Sequence, residues 1–228
     1  GCTSLSNISA LSNWDLSSVE DIEVMFWGCT SLSNISALSN WNVSSVTDMR
    51  GMFVGCTSLS DISALSNWNV SSVTDMCHMF YGCTYLSAAP KINATGISGH
   101  YYGGGACEGM FWGCTNLRYT PSLDFITSNA GGCRNMFNNT RITGIVINTV
   151  TADGQAFAYM FSECSSLRRI ECPNLLYTRS GESSFSTFCR WTEGVSKTGT
   201  FVKNSLLTTL PNGTYGIPCG WTVTDYVA

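Results

Sequence analysis

The residues in this chain best suited to chemistry are a cysteine and a histidine that are adjacent in the sequence, Cys77 and His78. A thiol activated by an imidazole is the nucleophile of one class of enzymes. We expect both residues on a short helix, where neighbouring side chains do not face each other, so the sequence predicts no Cys–His pair. A zinc site that added His100 and Cys107 would lack the usual ligand spacing. The sequence therefore predicts no metal centre here.

Other chemical motifs point the same way. Glu20, Asp21 and Glu23 could suggest a carboxylate pair, but acids crowded at a helix start are favoured by the helix dipole. The sequence holds no Gly-x-Ser-x-Gly elbow, His-Glu-x-x-His helix, phosphate-binding glycine loop or Cys-x-x-Cys pair. We therefore predict that the protein is not an enzyme and needs no cofactor.

The composition excludes two classes of partner. Charged residues make up 11% of the 228 residues, against about 25% in a typical globular protein, and the net charge is −4. An acidic balance without a basic patch predicts no nucleic-acid partner. No apolar run approaches the roughly 20 residues that cross a bilayer, so we expect no membrane insertion by this segment.

An internal repeat of 27 residues determines where any site can lie. Residues 28–54 and 55–81 are identical at 23 of 27 positions, and residues 1–27 match residues 28–54 at 20 of 27. Later copies drift but keep one phenylalanine each, which we interpret as the buried anchor of each repeat. These anchors are Phe26, Phe53, Phe80, Phe111, Phe137, Phe161 and Phe188.

Each repeat is predicted to hold one short strand and one short helix. Leu32 and Ile35 mark the strand side of the second copy. The helix should begin at Ser45, three residues before Asp48 in a capping-box spacing, and end at Gly55. Its buried face would carry Val46, Met49 and Phe53.

These elements predict an α/β repeat solenoid, because a repeat this short buries its apolar face only by stacking on its neighbours. We expect about seven leucine-rich-repeat-like coils of 24–31 residues in residues 1–189 and a C-terminal capping segment in residues 190–228. Gly1 is not a start methionine, so we expect the chain to be a fragment of a longer protein.

The repeat resembles a known family. The motif Ser-Asn-Trp-Asn-Val-Ser-Ser-Val-Thr-Asp-Met-x-x-Met-Phe-x-Gly-Cys-Thr-Ser-Leu at residues 39–59 is similar to the BspA-like leucine-rich repeat surface proteins. The looser copies, such as residues 85–90 and 110–115, resemble the version common in gut Bacteroidetes and their phages. The resemblance implies attachment or recognition in an extracellular, cell-surface or virion setting, and supplies no catalytic residues.

Two functions stay open at this point. The first is a non-catalytic recognition or adhesion module that binds a host-surface protein or glycan. The second is a structural or assembly element, such as part of a phage tail fibre, whose partners are other subunits of a surface or virion assembly.

The repeats differ mainly along one stripe. Between the second and third copies, positions 50, 51 and 54 change while the framework is nearly constant. These positions would share one helix face away from the core. Exposed aromatic rows suit sugars and protein partners, although drift at solvated positions would give the same pattern. The candidate partner-binding residues in this variable stripe are Glu23, Val24, Trp27, Arg50, Val54, His78, Tyr81 and Trp112.

An insertion adds a second candidate. Residues 99–105 lengthen the fourth copy and place His100, Tyr101 and Tyr102 beside a run of glycines. Insertions in a solenoid emerge as loops on one face, often the binding face, so these three residues are candidates as well. A bulge without a role is the alternative.

Half of the twelve cysteines occupy one repeat position. Stacked coils place such residues about 5 Å apart with parallel side chains, a poor geometry for disulfides. We therefore predict a buried row of reduced cysteines at Cys2, Cys29, Cys56, Cys83, Cys114 and Cys164. The pairing of the other six is left open.

Overall fold

The protein was analysed as a computed structural model, and the structure describes residues 1–89, 100–101, 104–120, 132–148, 151–152, 156–175, 177–178, 188–208 and 210–227. Helical residues in these ranges are confined to three short 3₁₀ helices, Ser9–Asn13, Ser36–Leu38 and Ser63–Leu65. The strands are β1 (His100–Tyr101), β2 (Gly104–Gly105), β3 (Gly144–Val146), β4 (Thr151–Ala152), β5 (Arg169–Cys172), β6 (Tyr177–Thr178), β7 (Thr200–Lys203) and β8 (Thr222–Asp225).

A parallel sheet runs through the later repeats in the order β3-β5-β7-β8. Its register aligns Ile145 with Ile170 and Ile170 with Phe201, and all three side chains are buried. Parallel pairing between strands of successive repeats is typical of a leucine-rich repeat coil. Residues 190–228, predicted as a cap, contribute β7 and β8 to this same sheet.

The early repeats pair through single bridges instead of strands. Asp21 bridges Asp48, and Asp48 bridges Asp75, each in parallel. The segment of the second copy expected to be a strand, around Leu32 and Ile35, is not one. It leads into the 3₁₀ helix Ser36–Leu38, which buries Leu38 completely.

The predicted helix of each repeat is wrong: residues 45–55 form a series of tight turns. The backbone N–H groups of Gly51, Phe53 and Gly55 donate to carbonyl groups of the next coil at 2.7–2.9 Å. The N–H of Val54 donates only three residues back, to Gly51, at 3.0 Å. An α-helix would direct every one of these donors four residues back within the same segment. We call this arrangement the turn ladder.

The polar residues that suggested a helix cap serve the turn ladder. The hydroxyl of Ser45 donates to the carbonyl oxygen of Ser17 in the preceding coil at 2.6 Å. The carboxylate of Asp48 accepts the N–H of Arg50, two residues on, at 2.9 Å. Ser and Asp side chains compete with helix hydrogen bonds in this way. Gly51 and Gly55 add left-handed φ values of 59° and 69°, which end any helical run.

The phenylalanine anchors stack in one row through the core. Ring centroids of successive anchors from Phe26 to Phe161 lie 5.3–6.1 Å apart, and the rings are nearly parallel. Phe188 does not continue this row, because the backbone register places it beside Phe157, 5.8 Å away. The indole of Trp191 packs on Phe161 in its place, at 5.6 Å.

The cysteine row runs beside the anchors. Cys29, Cys56, Cys83, Cys114 and Cys164 are buried, and the thiols of Cys56, Cys83 and Cys114 donate to anchor carbonyls of the preceding coil at 3.1 Å. Two residues depart from the prediction. Cys2 is exposed at the edge of the stack, and Thr140 takes the row position before Cys164, 3.3 Å from its sulfur. None of the twelve cysteines, all of which lie in the described ranges, forms a disulfide.

The helices in the described part of the chain are all too short and too polar to cross a lipid bilayer.

Candidate functional site

Six residues of the variable stripe line one surface groove of about 280 Å³ across the first three coils. We call it the stripe groove. The stripe residues in its wall are Glu23, Val24, Trp27, Arg50, Val54 and His78. The remaining lining residues are Gly51, Asp75, Cys77 and Gly105.

The turn ladder holds these side chains in place. Val24, Gly51 and His78 occupy equivalent left-handed positions in three successive coils, with φ values of 50°, 59° and 56°. Large and small residues alternate along this row. A Cβ on Gly51 would lie 3.1 Å from a methyl of Val24, and one on Gly109 would lie 2.4 Å from the His78 ring. Gly51 and Gly109 therefore leave space for the side chains of Val24 and His78, which line the groove.

Charge is concentrated around Arg50. Its guanidinium contacts the Glu23 carboxylate at 2.8 Å and the Asp48 carboxylate at 2.9 Å, and lies 4.0 Å from Asp75. Carboxylate oxygens of Asp21, Glu23 and Asp48 also lie within 4.8 Å of one another. Three carboxylates thus lie within 4.0 Å of one guanidinium, so the acidic groups beside the groove outnumber the basic group.

Asp75 is the least exposed of these acids, at 7%. One carboxylate oxygen accepts the N–H of Cys77 at 2.8 Å, in the same turn geometry as Asp48. Burial raises the pKa of Asp75, and the nearby charges of Asp48 and Glu23 raise it further, while Arg50 opposes them. The wall of the groove therefore contains an acid whose ionised form is disfavoured by its surroundings.

Cys77 and His78 do meet, contrary to the sequence expectation. The thiol sulfur lies 3.2 Å from Nδ1 of the imidazole, because the left-handed backbone at His78 replaces the helix that would have separated them. Burial, Asp75 and Glu108 raise the pKa of Cys77 to about 12, and burial lowers the pKa of His78. A reactive cysteine needs the opposite shift, toward thiolate, so these two side chains are neutral at pH 7.

Aromatic residues extend the stripe beyond the groove. Tyr81 packs edge-on against His78 at 5.6 Å and against Trp112 at 5.4 Å. Trp27 is 54% exposed and Tyr81 38%, and Trp112 is half-buried. The expectation that these three aromatics reach the surface is confirmed.

The insertion at residues 99–105 adjoins the stripe groove. Strands β1 and β2 form an antiparallel hairpin that pairs His100 with Gly105, and Gly105 lines the groove. The two candidate regions of the sequence thus adjoin through the base of this hairpin. Tyr102 and the side chains of His100 and Tyr101 lie outside the described residues.

Comparison with known protein families gives a match for each half of the repeat region. Residues 107–204 match the family described as "BspA type Leucine rich repeat region (6 copies)". This segment carries BspA-type leucine-rich repeats. Residues 1–95 match the family described as "Mycoplasma protein of unknown function, DUF285", which is associated with the BspA type. The resemblance read from the sequence is confirmed. No curated protein and no solved structure matches the chain.

BspA-type repeats are generally surface or adhesion modules, typically extracellular and generally non-enzymatic. Apart from Gly105, every residue that lines the stripe groove lies in the segment that matches the DUF285 family.

A comparison of the repeat copies by sequence overlooks two groove residues, Asp75 and Gly105. Asp75 is identical to Asp21 and Asp48 at the equivalent positions, so a search for variable positions passes over it. The sequence did contain a signal for Asp75, because acids that recur every 27 residues stack into a row of like charges. Gly105 has no counterpart in the strict repeat, and only the fold brings it to the groove.

Two further clefts lie on the first two coils. One, of about 530 Å³, is lined by Trp14, Leu16, Val19 and Met25 at the outer edge of the first coil. The other, of about 370 Å³, is lined mainly by serines and asparagines of the first two coils. Glu23 is the one variable-stripe residue that reaches either of them, so the stripe groove stays the best candidate.

Proposed function

We propose that this chain is a non-catalytic recognition module that binds a protein or glycan at a cell or virion surface through the stripe groove. The observation that carries the proposal is the convergence of six variable residues from three coils into one groove. A recognition surface needs variable side chains on a constant framework, and the repeats supply both.

The state of the titratable groups supports binding over catalysis. The thiol of Cys77 has a pKa of about 12, so it is not a nucleophile at neutral pH. Arg50 forms ion pairs with both Glu23 and Asp48 by direct contact. The groove offers charge, hydrogen-bond acceptors and the exposed indole of Trp27, which are means of recognition.

The test compares aromatic variants of the variable stripe with a variant of Trp14, a tryptophan as exposed as Trp27. Trp27→Ala and Tyr81→Ala should each reduce binding to a glycan array or to intact cells, by roughly thirtyfold if the aromatic ring anchors the interface. Trp14→Ala is the matched control, because Trp14 is 52% exposed but lies in the outer cleft. Equal retention of all three variants, with unchanged melting temperatures, would contradict the proposal.

The exposed edge strand β8 supports the second candidate, an assembly element. All four residues of β8 are exposed, and among the described strands β8 pairs only with β7, so its other edge could pair with another chain. Concentration-dependent association in sedimentation velocity, abolished by Val223→Pro, would favour assembly over recognition of a foreign surface.

A further inference from the structure

The charges around the stripe groove are unbalanced toward a positive ligand. Glu23, Asp48 and Asp75 lie within 4.0 Å of the guanidinium of Arg50, so three acidic groups face one basic group. Glu108 also acts on Cys77 and His78 in the groove wall, although Arg134, 3.9 Å from its carboxylate, offsets part of its charge. A cation would complement the site, and an anion would be repelled.

Asp75 has unused capacity to accept hydrogen bonds. It is 93% buried by surface area, and it lines the groove. One oxygen accepts the N–H of Cys77, but the other lies 4.0 Å from Arg50, beyond hydrogen-bonding distance. A buried carboxylate with one oxygen outside hydrogen-bonding distance of a donor would be stabilised strongly by a positively charged donor bound in the groove.

The walls next to these acids are apolar. Val24 and Val54 offer aliphatic surface, and Trp27 presents an indole that is 54% exposed. A long side chain that ends in a positive charge needs this combination, because its methylene stem packs on apolar groups while its head reaches acceptors. The indole face also attracts cations directly.

From these features we infer that the stripe groove takes a lysine or arginine side chain presented by a protein partner. The inference rests on the proposed recognition function and names the chemical class of its ligand. A neutral sugar would stack on Trp27, but it would leave the excess negative charge uncompensated.

The experiment uses two capped pentapeptides, Gly-Gly-Lys-Gly-Gly and the same peptide with Nε-acetyl-lysine, in buffer that contains EDTA to exclude bridging metal ions. The readout is the NMR shift of the Trp27 indole N–H, assigned with Trp27→Phe. We expect the lysine peptide to shift this signal, and its affinity to fall about tenfold on acetylation and further with added salt.

Charge-neutral variants identify the acceptors. Glu23→Gln and Asp75→Asn should each weaken the lysine peptide about fivefold or more. Asp61→Asn is the matched control, because Asp61 is exposed and the second copy carries Asn34 at the equivalent position. The melting temperature of each variant reports whether it folds, and Glu23→Gln alters a partly exposed side chain that the core does not need.

Three outcomes would overturn the inference: no shift with the lysine peptide, equal binding of both peptides, or unchanged binding by both acid variants. A shift of Trp27 by a trimer of N-acetylglucosamine without one by lysine would assign the groove to a glycan. Each of these results leaves the cell-retention test of Trp27→Ala standing, so failure of the cationic ligand is distinguishable from failure of the recognition function.

Discussion

Asp75 is retained at a position where burial disfavours its charge. Its carboxylate is nearly inaccessible, and its pKa is raised mainly by burial and then by neighbouring acids. Because the folded-state pKa lies above the ordinary aspartate value of 3.8, the folded protein binds this proton more tightly than the unfolded chain does. Stability from this group is therefore greatest below pH 3.8 and is lost as the pH rises through the raised pKa.

Asp75→Asn should accordingly raise the melting temperature at pH 7. The asparagine oxygen can still accept the N–H of Cys77, while the unfavourable charge is removed. The advantage over the parent protein should disappear as the pH falls toward 3.8, as measured by thermal unfolding across a pH series. Asp61→Asn, an Asp-to-Asn change at an exposed position, is measured beside it as the control. A lower melting temperature for Asp75→Asn at pH 7 would mean that the ion pair with Arg50 outweighs burial.

Phe53→Ala should cost about 3–5 kcal/mol in the free energy of unfolding. Phe53 is completely buried and stacks on Phe26 and Phe80 at 5.4 and 5.5 Å, so the cavity would open between two rings. Chemical denaturation measures the loss. Ser66→Ala, at an exposed position, should change stability by less than about 0.5 kcal/mol. A loss below about 1 kcal/mol for Phe53→Ala would show that the row of anchors does not carry coil stability.

The turn ladder joins each coil to the next through backbone groups. Alternate N–H groups of one coil donate to carbonyls of its neighbour, so the segment is stable only within a stack. Left-handed residues recur four positions apart, at Gly51 and Gly55 and again at His78 and Gly82. Side chains at these positions must fit the residue one coil away, which explains why His78 is matched by Gly109.

Gly109→Ala tests this fit. The new methyl would lie 2.4 Å from the His78 ring, and the backbone there has a left-handed φ of 57°. We expect a loss of about 1–3 kcal/mol in unfolding free energy. The double variant Gly109→Ala with His78→Ala should recover the steric part of that loss. Gly144→Ala is the control, since its nearest neighbour lies at 3.5 Å, an ordinary contact. Equal effects of the two alanines would contradict the proposed fit.

One continuous core includes residues from Ile8 in the first coil to Trp221, and no disulfide joins the described coils. The buried cysteines contribute to this core as small apolar groups, and the thiols of Cys56, Cys83 and Cys114 donate to anchor carbonyls. Stability is therefore distributed over coil-to-coil contacts, as expected for a repeat protein.

Alkylation measured by mass spectrometry should find all twelve thiols reduced. Under denaturing conditions without reductant, every cysteine should be labelled. In the folded protein Cys2 and Cys219 should react first because they are exposed, and Cys77 should react slowly because its pKa is about 12. A pair of row cysteines found in a disulfide would refute the packing described for the coils.

The sequence by itself determined which residues share an environment. Near-identical copies stack with a constant offset, so Phe26, Phe53 and Phe80 had to form one row and Cys29, Cys56 and Cys83 another. The same logic separated the buried positions from the variable stripe. This holds whatever local backbone the repeat adopts, because translation along a stack maps each residue onto its counterpart.

Only the tertiary structure decided the local backbone and the site. The apolar spacing of Val46, Met49 and Phe53 fits a helix, but the hydrogen bonds of this segment run between coils, and a local pattern contains no information about such partners. The contact of Cys77 with His78 and the position of Asp75 beside Arg50 follow from that backbone. Groups that are 27 or more residues apart in the sequence lie at distances set by how far each coil is displaced sideways from the next. The spacing of residues along the chain does not determine this displacement.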